Sequence, residues 1–324
     1  MREQAMPFTR AAALRLGAGA AFAFAARPAS AQALTPLRLA AAADDDITPI
    51  LYGQSSGIFK SAGLDVQLQA LGSGSATAAA VAAGAIDIGK SSLTALISAH
   101  ARGIPFEIIA PASMYTDAWP VAGFIVGRDS LITGPRDLNG KTVSASSLKD
   151  LISLATQAWI DQGGGDSKTV HFIEIPASAV GAALAQKRID GATVITPGLA
   201  EAIDSGAARL IGRSFSAIAK HFMIAGWFTT SDYIAKHGDI VHRFVGAFRR
   251  AAAYTDSHRT ETVALLAGYS HIAPETIRRM ARSTAGTVVD PKDIQPVIDA
   301  ALKYKIIDKP FPAHELIATL PAGT

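Results

Sequence analysis

Hydroxyl side chains stand at the predicted starts of helices, at six places along the chain. The six places are Thr48, Ser75, Ser91 or Ser92, Ser146 or Ser147, Ser178 and Thr196. The first N–H groups of a helix have no partner inside the helix, and the helix dipole adds partial positive charge there. Such starts bind anions without lysine or arginine. The pattern predicts a site for a small anionic group, although serine and threonine also cap ordinary helices.

Charged and aromatic side chains near these starts add to the candidate site. Lys90 follows a predicted strand, and we expect it to neutralise an anionic ligand. Three aspartates at 44–46 follow the first strand, where they form either a site for a cationic group or, the preferred interpretation, a solvated loop. Tyr115 and Trp227 lie where the chain is expected to cross between two sheets, and their rings either stack on a ligand or pack in the core. The charge of the ligand stays open.

The candidate binding residues all lie at helix starts, strand ends or expected crossings of the chain. They are Asp46, Thr48, Gly74, Ser75, Lys90, Ser91, Ser92, Tyr115, Ser146, Ser147, Thr196 and Trp227. We assign the chain no catalytic residue, no metal ligand and no cofactor.

Motifs of known enzymes are incomplete in this sequence. Ser146 and Lys149 match the S-x-x-K of penicillin-binding enzymes, but the S-D-N and K-T-G strings that must accompany it are missing. The stretch 134–142 is one residue too long for a phosphate loop and precedes a strand rather than a helix. The eight histidines show no spacing for shared metal ligation, and there is no cysteine. These observations favour a protein without catalysis.

One unit occurs twice in the chain and predicts the architecture. Residues 64–90 and 168–195 each contain a short apolar run, a small-residue turn with a serine, an Ala-rich helical stretch, an Ile-Asp pair and a second apolar run. When Ile86-Asp87 is placed on Ile189-Asp190, Ser75 falls on Ser178. Two such units predict two similar lobes with a ligand cleft between them.

Strands alternate with helices along the chain, which predicts a mostly parallel sheet flanked by helices in each lobe. The expected crossing strand is 120–127 and the expected return strand is 221–229. We therefore predict an α/β fold in which lobe 1 comprises 32–118 plus 230–324 and lobe 2 comprises 119–229. In the tail, Val241, Phe244, Val245 and Phe248 have the i, i+3, i+4, i+7 spacing of a helix.

The first 31 residues have the pattern of a secretory signal. Arginines precede an uncharged run at 16–26, and the A-x-A pattern that follows predicts cleavage after Ala31. Thr9-Arg10-Ala11, followed by Leu16-Gly17-Ala18-Gly19, resembles a twin-arginine signal whose second arginine is missing. The choice between the Sec and twin-arginine export routes therefore stays open. This segment holds four Arg and one Glu, so the rest of the chain has equal numbers of basic and acidic residues. A neutral mature chain argues against nucleic acid as a partner.

Several segments together resemble a family of exported solute-binding proteins, the sulfonate–nitrate–taurine and thiamine-precursor group. The segments are Gly57-Ile58-Phe59-Lys60, Gly63-Leu64-Asp65-Val66, Gly84-Ala85-Ile86-Asp87-Ile88-Gly89, Gly103-Ile104-Pro105, Asp137-Leu138-Asn139-Gly140-Lys141-Thr142-Val143 and Arg188-Ile189-Asp190-Gly191-Ala192. The resemblance covers nearly all of the chain after the signal. It identifies the family better than the ligand.

The resemblance implies a periplasmic-binding-protein fold of two lobes joined by two hinge strands, which closes on a small molecule and delivers it to an ABC permease in the inner membrane. It implies that ligand contacts come from the loops at Thr48, Gly74-Ser75, Ser91-Ser92, Ser146-Ser147 and Thr196. Expected ligands are sulfonates, aromatic acids or pyrimidines, bound by a periplasmic monomer. An exported enzyme with the same cleft and a ligand-loaded sensor stay as alternatives. Fungal pyrimidine synthases share the fold but need a Cys-rich motif, which this chain lacks.

Overall fold

The computed structural model describes residues 33–320, which form two five-stranded sheets covered by helices. The predicted signal segment and its cleavage site lie outside the described residues. The strands are β1 Thr35–Ala41, β2 Leu64–Ala70, β3 Ile88–Ser92, β4 Phe106–Thr116, β5 Ala122–Gly127, β6 Thr142–Ala145, β7 His171–Glu174, β8 Gly191–Ile195, β9 Ala208–Gly212 and β10 His221–Thr230.

The helices alternate with the strands except between β4 and β6 and between β9 and β10, and α-helices fill most of the chain after β10. They are α1 Thr48–Ser55, α2 Ile58–Ser61, α3 Gly74–Ala82, α4 Leu93–Ala101, α5 Leu151–Gln162, α6 Ala177–Ala185, α7 Gly198–Asp204, α8 Ser231–Ser257, α9 Val263–Ser270, α10 Pro274–Arg279 and α11 Pro291–Lys303. Among the described residues, no helix combines the length and the apolar character needed to cross a membrane.

The two sheets have the same plan. The first sheet has the order β2-β1-β3-β10-β4 and the second has the order β7-β6-β8-β5-β9. In each sheet the first three strands are parallel and the fourth is antiparallel to the third. The predicted α/β fold with two sheets flanked by helices is confirmed.

The repeated unit of the sequence is β2-α3-β3 in the first sheet and β7-α6-β8 in the second. The same hydrogen bonds anchor both copies. The Asp87 N–H donates to the Arg38 carbonyl at 3.0 Å, and the Asp87 carboxylate accepts from the Arg38 N–H at 2.8 Å. Asp190 does the same with Thr142 at 2.7 and 2.8 Å. The Ile-Asp pair therefore fastens the turn before the third strand to the neighbouring strand in both sheets.

A residue with a left-handed backbone conformation, that is, a positive φ, lies three positions before each of these aspartates. Gly84 has φ +72° and Lys187 has φ +57°. Both residues end the turn of the preceding helix, where the chain must reverse to enter the next strand. Glycine adopts this conformation at no steric cost, whereas lysine is strained in it.

The chain crosses between the sheets twice, through 117–121 and through 213–220. The predicted crossing strand at 120–127 corresponds to β5, which is a member of the second sheet. Strand β10 differs from the expectation that placed 221–229 in the second lobe, because it pairs with β3 and β4 of the first sheet. Its extended apolar pattern is the same in either sheet, so the sequence pattern did not decide its partner. The exact lobe boundaries stay a prediction.

The helical tail packs on the first sheet as its apolar spacing predicts. Val241, Phe244, Val245 and Phe248 are all buried in α8. The predicted single helix over 48–59 is instead two helices, α1 and α2, because Gly57 has φ +77° and interrupts the helical turn. The main apolar cluster includes Leu151 and Leu154 of α5 together with first-sheet side chains. Helix α5 of the second sheet therefore shares a core with the first.

Candidate functional site

Three of the helices that flank each sheet begin shortly after the carboxyl end of one of its parallel strands. We call the starts of α1, α3 and α4 the first-sheet starts, and those of α5, α6 and α7 the second-sheet starts. In open α/β sheets, ligands bind beyond the carboxyl ends of the strands, where these helices begin. All the predicted site residues except Tyr115 and Trp227 lie at these starts or within a few residues of them.

The start of α1 is surrounded by buried charge. Asp45 and Asp46 form a short 3-10 helix before Thr48 and are only 4% and 8% exposed. The preferred interpretation of 44–46 as a solvated loop is therefore wrong for these two residues, because each carboxylate has a buried cationic partner. Thr48 is the first residue of α1 rather than its N-cap, and its hydroxyl donates to the Asp45 carbonyl at 2.6 Å.

Lys90 is buried in β3, and its ammonium group bonds Asp46 as well as Asp44, the latter at 3.1 Å. Burial alone would lower the pKa of Lys90, but the attraction of Asp46 and Asp44 outweighs it, so the pKa is raised. Burial raises the pKa of Asp46 to about 6, against the opposing pull of Lys90. The positive charge that the sequence assigned to ligand binding is thus shared by two carboxylates of the chain.

Arg282 is the partner of Asp45, and the sequence patterns did not indicate it. Its Nε donates to Asp45 Oδ1 at 2.5 Å, and its Nη2 donates to the Thr48 hydroxyl at 3.0 Å. The Ser283 N–H donates to the other oxygen of Asp45 at 2.5 Å. Burial raises the pKa of Asp45, while Arg282 opposes the shift. The two residues are 237 positions apart, so no local pattern could have paired them.

The segment that carries Arg282 also reaches the second sheet. The Thr196 hydroxyl, just before α7, donates to the Ala281 carbonyl at 2.9 Å. Thr196 precedes a cis bond to Pro197 and is not the N-cap predicted for it, because α7 begins at Gly198 with Pro197 before it. Residues 281–283 thus connect the start of α1 to the start of α7.

Asp256, a half-buried carboxyl, lies behind this segment. Asp256, Arg259, Arg282 and Ser283 line a cavity of about 10 Å³ next to Asp45, which is about the space of one water molecule. Burial raises the pKa of Asp256 to about 6, although the Ala285 N–H donates to its carboxylate at 3.2 Å. This cavity is too small for an organic ligand.

The starts of α3 and α4 are rich in hydroxyl groups. Ser73, rather than the predicted Ser75, is the N-cap of α3 and accepts from the Ala76 N–H at 3.2 Å. Ser75 stands next to it, with its hydroxyl 3.0 Å from that of Ser73. Ser92 is the N-cap of α4, accepting from the Ala95 N–H at 3.4 Å, which confirms one of the two predicted positions.

Ser91 is a buried hydroxyl without a partner. The residue is 2% exposed, and its Oγ makes no hydrogen bond to the described part of the chain. It lies against the first residue of α3, since a Cβ atom built on Gly74 would stand 2.5 Å from it. Unpaired buried hydroxyls are rare in folded proteins and call for an explanation.

The start of α5 already holds carboxylates of the chain. Asp150 is the N-cap, and its carboxylate accepts from the Ser146 hydroxyl, the Ser147 N–H at 3.0 Å and the Ser153 N–H at 2.7 Å. The helix therefore begins at Leu151, not at Leu148 after a Ser146-Ser147 cap as predicted. Glu174, at the end of β7, accepts from the Leu148 N–H at 3.0 Å. Burial raises the pKa of Asp150.

The start of α6 keeps Ser178 at the place of Ser75 but lacks the side-chain cap found at α3. Its N-cap is Pro176, which offers no side-chain acceptor, so Ser178 is not the cap that the repeat predicts. In the alignment of the two repeats, Val194 and Ile195 stand where the first sheet has Ser91 and Ser92. The two copies of the repeat therefore carry side chains of different chemistry at these equivalent positions.

The two aromatic candidates are fully buried. The Tyr115 hydroxyl donates to Asp117 at 2.9 Å and lies 2.8 Å from the Ser216 hydroxyl, which joins the two crossing segments. Burial raises its pKa to about 12. Trp227 packs edge-on against Phe244 and Phe248. Both rings lie in the core of the first sheet, where neither has an exposed face.

Comparison with known families gives one match over most of the chain. The model of the family described as NMT1/THI5 like matches residues 44–262. No curated protein matches the sequence at a significant level.

Solved structures of similar fold come from several bacteria. The periplasmic aliphatic sulphonate-binding protein SsuA of Escherichia coli is 17% identical, over 89% of this chain and 93% of its own, with a TM-score of 0.74. The alkanesulfonate-binding SsuA of Xanthomonas axonopodis pv. citri, bound to MOPS, is 15% identical over 87% and 98%, with a TM-score of 0.71. The periplasmic nitrate-binding NrtA of Synechocystis is 16% identical over 75% and 69%, with a TM-score of 0.63. At these identities the similarity establishes the periplasmic-binding-protein fold.

Proposed function

The chain belongs to the NMT1/THI5-like family, and we propose that it is a solute-binding protein that captures a small organic molecule between its two sheets for an ABC importer. The observation that carries the proposal is the pair of similar sheets whose helix starts follow the carboxyl ends of parallel strands. Ligands occupy this position in open α/β folds. The sulfonate- and nitrate-binding proteins that share the fold are named as periplasmic binding proteins.

Capture would proceed by a hinge motion of the two segments that cross between the sheets. Ligand binding would select the closed conformation, in which the ligand contacts residues of both sheets. The predicted contacts in this proposal come from Thr48, Gly74-Ser75, Ser91-Ser92, Ser146-Ser147 and Thr196. The protein would act in the periplasm as a monomer, after removal of the predicted signal segment, and would present its ligand to a permease in the inner membrane.

We propose binding without turnover, because the structures of this fold cited above are named as binding proteins rather than as enzymes. The enzyme alternative needs a nucleophile with an adjacent base. Long incubation of a bound ligand, followed by mass spectrometry, separates the two, since any product would favour an enzyme. Pull-down of a permease or of a receptor separates transport from sensing.

The first test is a thermal-shift panel on purified protein that has been unfolded and refolded to remove carried-over ligand. The panel contains alkyl sulfonates, taurine, nitrate, aromatic carboxylates, pyrimidines and nucleotides. A ligand at 100 times its Kd stabilises the folded state by about 2.7 kcal/mol, a rise of several degrees in Tm. A panel without any shift would contradict the proposal.

Two bulky substitutions test the location of the ligand. We expect Ser92→Phe and Ser146→Phe to abolish the ligand-dependent shift, because each fills space at a helix start of a different sheet. Ser61→Phe is the matched control, since Ser61 is exposed at the end of α2, away from the starts. Unchanged affinity in both site variants would place the ligand elsewhere.

A further inference from the structure

A segment near the C-terminal end of the chain extends from the first sheet to the second. We call residues 259–284 the arm; it contains α9 and α10 and lies between α8 and α11 in the chain. Its ends are fixed to the first sheet, whereas its helices contact α7, which belongs to the second sheet. The arm therefore connects the two sheets by non-covalent contacts, in addition to the two segments through which the chain crosses.

Buried polar contacts hold the ends of the arm on the first sheet. Arg282 and Asp45 form an ion pair in which the side chains are only 7% and 4% exposed. Arg259 joins the two ends of the arm, since its guanidinium donates to the Arg282 carbonyl at 2.9 Å and to the Thr284 hydroxyl at 2.8 Å. The Met114 N–H of β4 donates to the Thr284 carbonyl at 2.9 Å. Because breaking a buried ion pair leaves an uncompensated charge, these ends stay on the first sheet.

The contacts of the arm with α7 are of weaker kinds. Arg279 of α10 pairs with Asp204 of α7 at 3.0 Å, but these side chains are 61% and 46% exposed. The Thr196 hydroxyl makes a single neutral hydrogen bond to the Ala281 carbonyl. Ala200 of α7 packs against the small apolar cluster of α9 and α10. Exposed ion pairs and single neutral hydrogen bonds contribute little stability, so the arm would separate from the second sheet here and not at its ends.

The position of α7 in the second sheet allows this separation. Phe124 and Val126 of β5 pack with α5, whereas Ile125 packs with α6 and α7. Because successive side chains of a strand point to opposite faces, α5 and α7 cover opposite faces of the second sheet. Helix α5 shares the core of the first sheet and is hydrogen-bonded to the crossing segment 213–220. When the second sheet turns about the side of α5, α7 moves away from the arm.

The arm is also linked to the crossing segments and to the candidate site. The Arg259 guanidinium lies over the Trp119 ring, 5.5 Å from its centroid, and Trp119 belongs to the crossing segment 117–121. On α9, the Tyr269 hydroxyl is buried without a partner among the described residues. Burial raises the pKa of Tyr269, and the nearby positive charge of Lys90 opposes the shift. The arm thus adjoins both the crossing segments and the first-sheet starts.

We propose that the arm is a latch whose contacts with α7 form when the two sheets close on a ligand and separate when the sheets open. This inference rests on the proposed function, because it names the contacts that regulate release from the same cleft. The ligand leaves after the Arg279–Asp204 pair and the Thr196–Ala281 hydrogen bond have separated. The strength of these contacts therefore sets the residence time of the ligand.

The first test fixes the contact between the arm and α7. Because the chain contains no cysteine, Asp204→Cys together with Arg279→Cys introduces the only two thiols of the protein. A bismaleimide joins them, since a disulfide requires backbones closer together than an ion pair between long side chains does. The crosslinked protein and the same variant capped with N-ethylmaleimide are refolded without ligand and compared by small-angle X-ray scattering. We expect a smaller radius of gyration in the crosslinked protein.

A crosslink within the arm is the matched control. Glu275→Cys together with Arg278→Cys replaces an exposed ion pair that lies within α10 alone, and its crosslink should leave the radius of gyration unchanged. Equal radii of the crosslinked and capped forms at positions 204 and 279 would show that the contact does not separate, which overturns the inference. Failure of these two thiols to crosslink would show that α10 and α7 do not meet in solution, with the same consequence.

Charge reversal tests whether the latch governs ligand release. Arg279→Glu places like charges at this contact, so the panel compound with the largest thermal shift should be released about three- to tenfold faster in stopped-flow fluorescence. Adding Asp204→Arg restores an opposite pair and should restore slow release. Arg278→Glu, on the same helix but paired within α10, is the control and should leave release unchanged. Unchanged release in Arg279→Glu, or no recovery in the double variant, overturns the inference.

Failure of the inference and failure of the proposed function give different results. If no compound of the panel binds, the proposed function fails, and the scattering comparison still decides whether the contact between the arm and α7 opens. If a compound binds and the crosslinked and capped proteins have equal radii, the proposed function stands and the inference fails. A bound compound together with a smaller radius in the crosslinked protein supports both.

Discussion

The units β2-α3-β3 and β7-α6-β8 share their backbone and differ in their side chains. Asp87 and Asp190 make the same two backbone hydrogen bonds, and a left-handed residue precedes each by three positions. On the third strand, however, Lys90, Ser91 and Ser92 of the first unit correspond to Thr193, Val194 and Ile195 of the second. Hydrogen bonds of the main chain thus maintain the framework, while the exchange of a few side chains changes the chemistry that each unit presents.

The largest difference is between Lys90 and Thr193, which occupy equivalent buried positions. We expect Lys90→Met to lower the free energy of unfolding by about 3–5 kcal/mol, because it leaves Asp46 buried without its partner. Urea denaturation measures this loss. Lys236→Met, at an exposed ion pair of α8, should change the value by less than about 1 kcal/mol. Equal effects of the two substitutions would mean that the buried pair is not stabilising the start of α1.

Thr193 is held by hydroxyl groups rather than by charge. Its Oγ1 donates to Ser214 at 2.9 Å and lies 2.7 Å from the Thr156 hydroxyl. Thr193→Val leaves the buried Ser214 hydroxyl without its partner and leaves Thr156 with the Ile152 carbonyl alone, and we expect a loss of about 1–3 kcal/mol in urea denaturation. The effect should be smaller than that of Lys90→Met. Ser144→Ala, which removes an unpartnered hydroxyl of the same sheet, is the control and should be close to neutral.

The cluster of charges at the start of α1 should make the folding stability of the protein depend on pH. Burial raises the pKa of Asp256 to about 6, above the value near 4 of an unfolded chain. Between these values the folded state holds a proton that the unfolded state does not, so stability increases as the pH falls through 6 and decreases as it rises. We expect Asp256→Asn to flatten the change of Tm between pH 7.5 and pH 5.5. An identical slope in the variant would contradict the raised pKa.

The left-handed positions allow a reciprocal exchange between the two units. Lys187→Gly should raise the free energy of unfolding by about 1 kcal/mol, because glycine adopts the positive φ without strain. Gly84→Ala should lower it by a similar amount for the same reason. Thermal and urea denaturation both report the changes. If Lys187→Gly is destabilising, contacts of the lysine side chain outweigh the strain of its backbone.

The smallest expected effects come from the helix caps. Ser73→Ala should cost about 0.5–1 kcal/mol because the Ala76 N–H loses its acceptor. Ser178→Ala, at the position that the repeat aligns with Ser75, should stay within about 0.5 kcal/mol because Ser178 caps nothing. If Ser178→Ala lowers the free energy of unfolding as much as Ser73→Ala does, then Ser178 caps α6, contrary to the structure.

Local patterns of the sequence predicted the elements and their class well. The alternation of strands and helices, the apolar face of α8 and the repeat around Ile86-Asp87 are all present in the structure. The resemblance to the solute-binding group is confirmed by the family match. These features could be predicted because hydrophobic periodicity, turn-forming residues and helix-forming residues all act over a few neighbouring positions of the chain. Helix starts were less accurate, since Ser73, Asp150 and Pro197 took places assigned to neighbouring residues.

Local patterns along the chain were enough to predict two similar α/β units and the polar residues that follow their strands. The use of those residues depends on contacts between distant parts of the chain. Lys90 meets Asp46 over 44 positions, and Asp45 meets Arg282 over 237. Burial makes these pairs, because a charge removed from water must find an opposite charge wherever the fold brings one near. Propensities act along the chain, whereas desolvation acts through space, so the charge at the site was decided by packing.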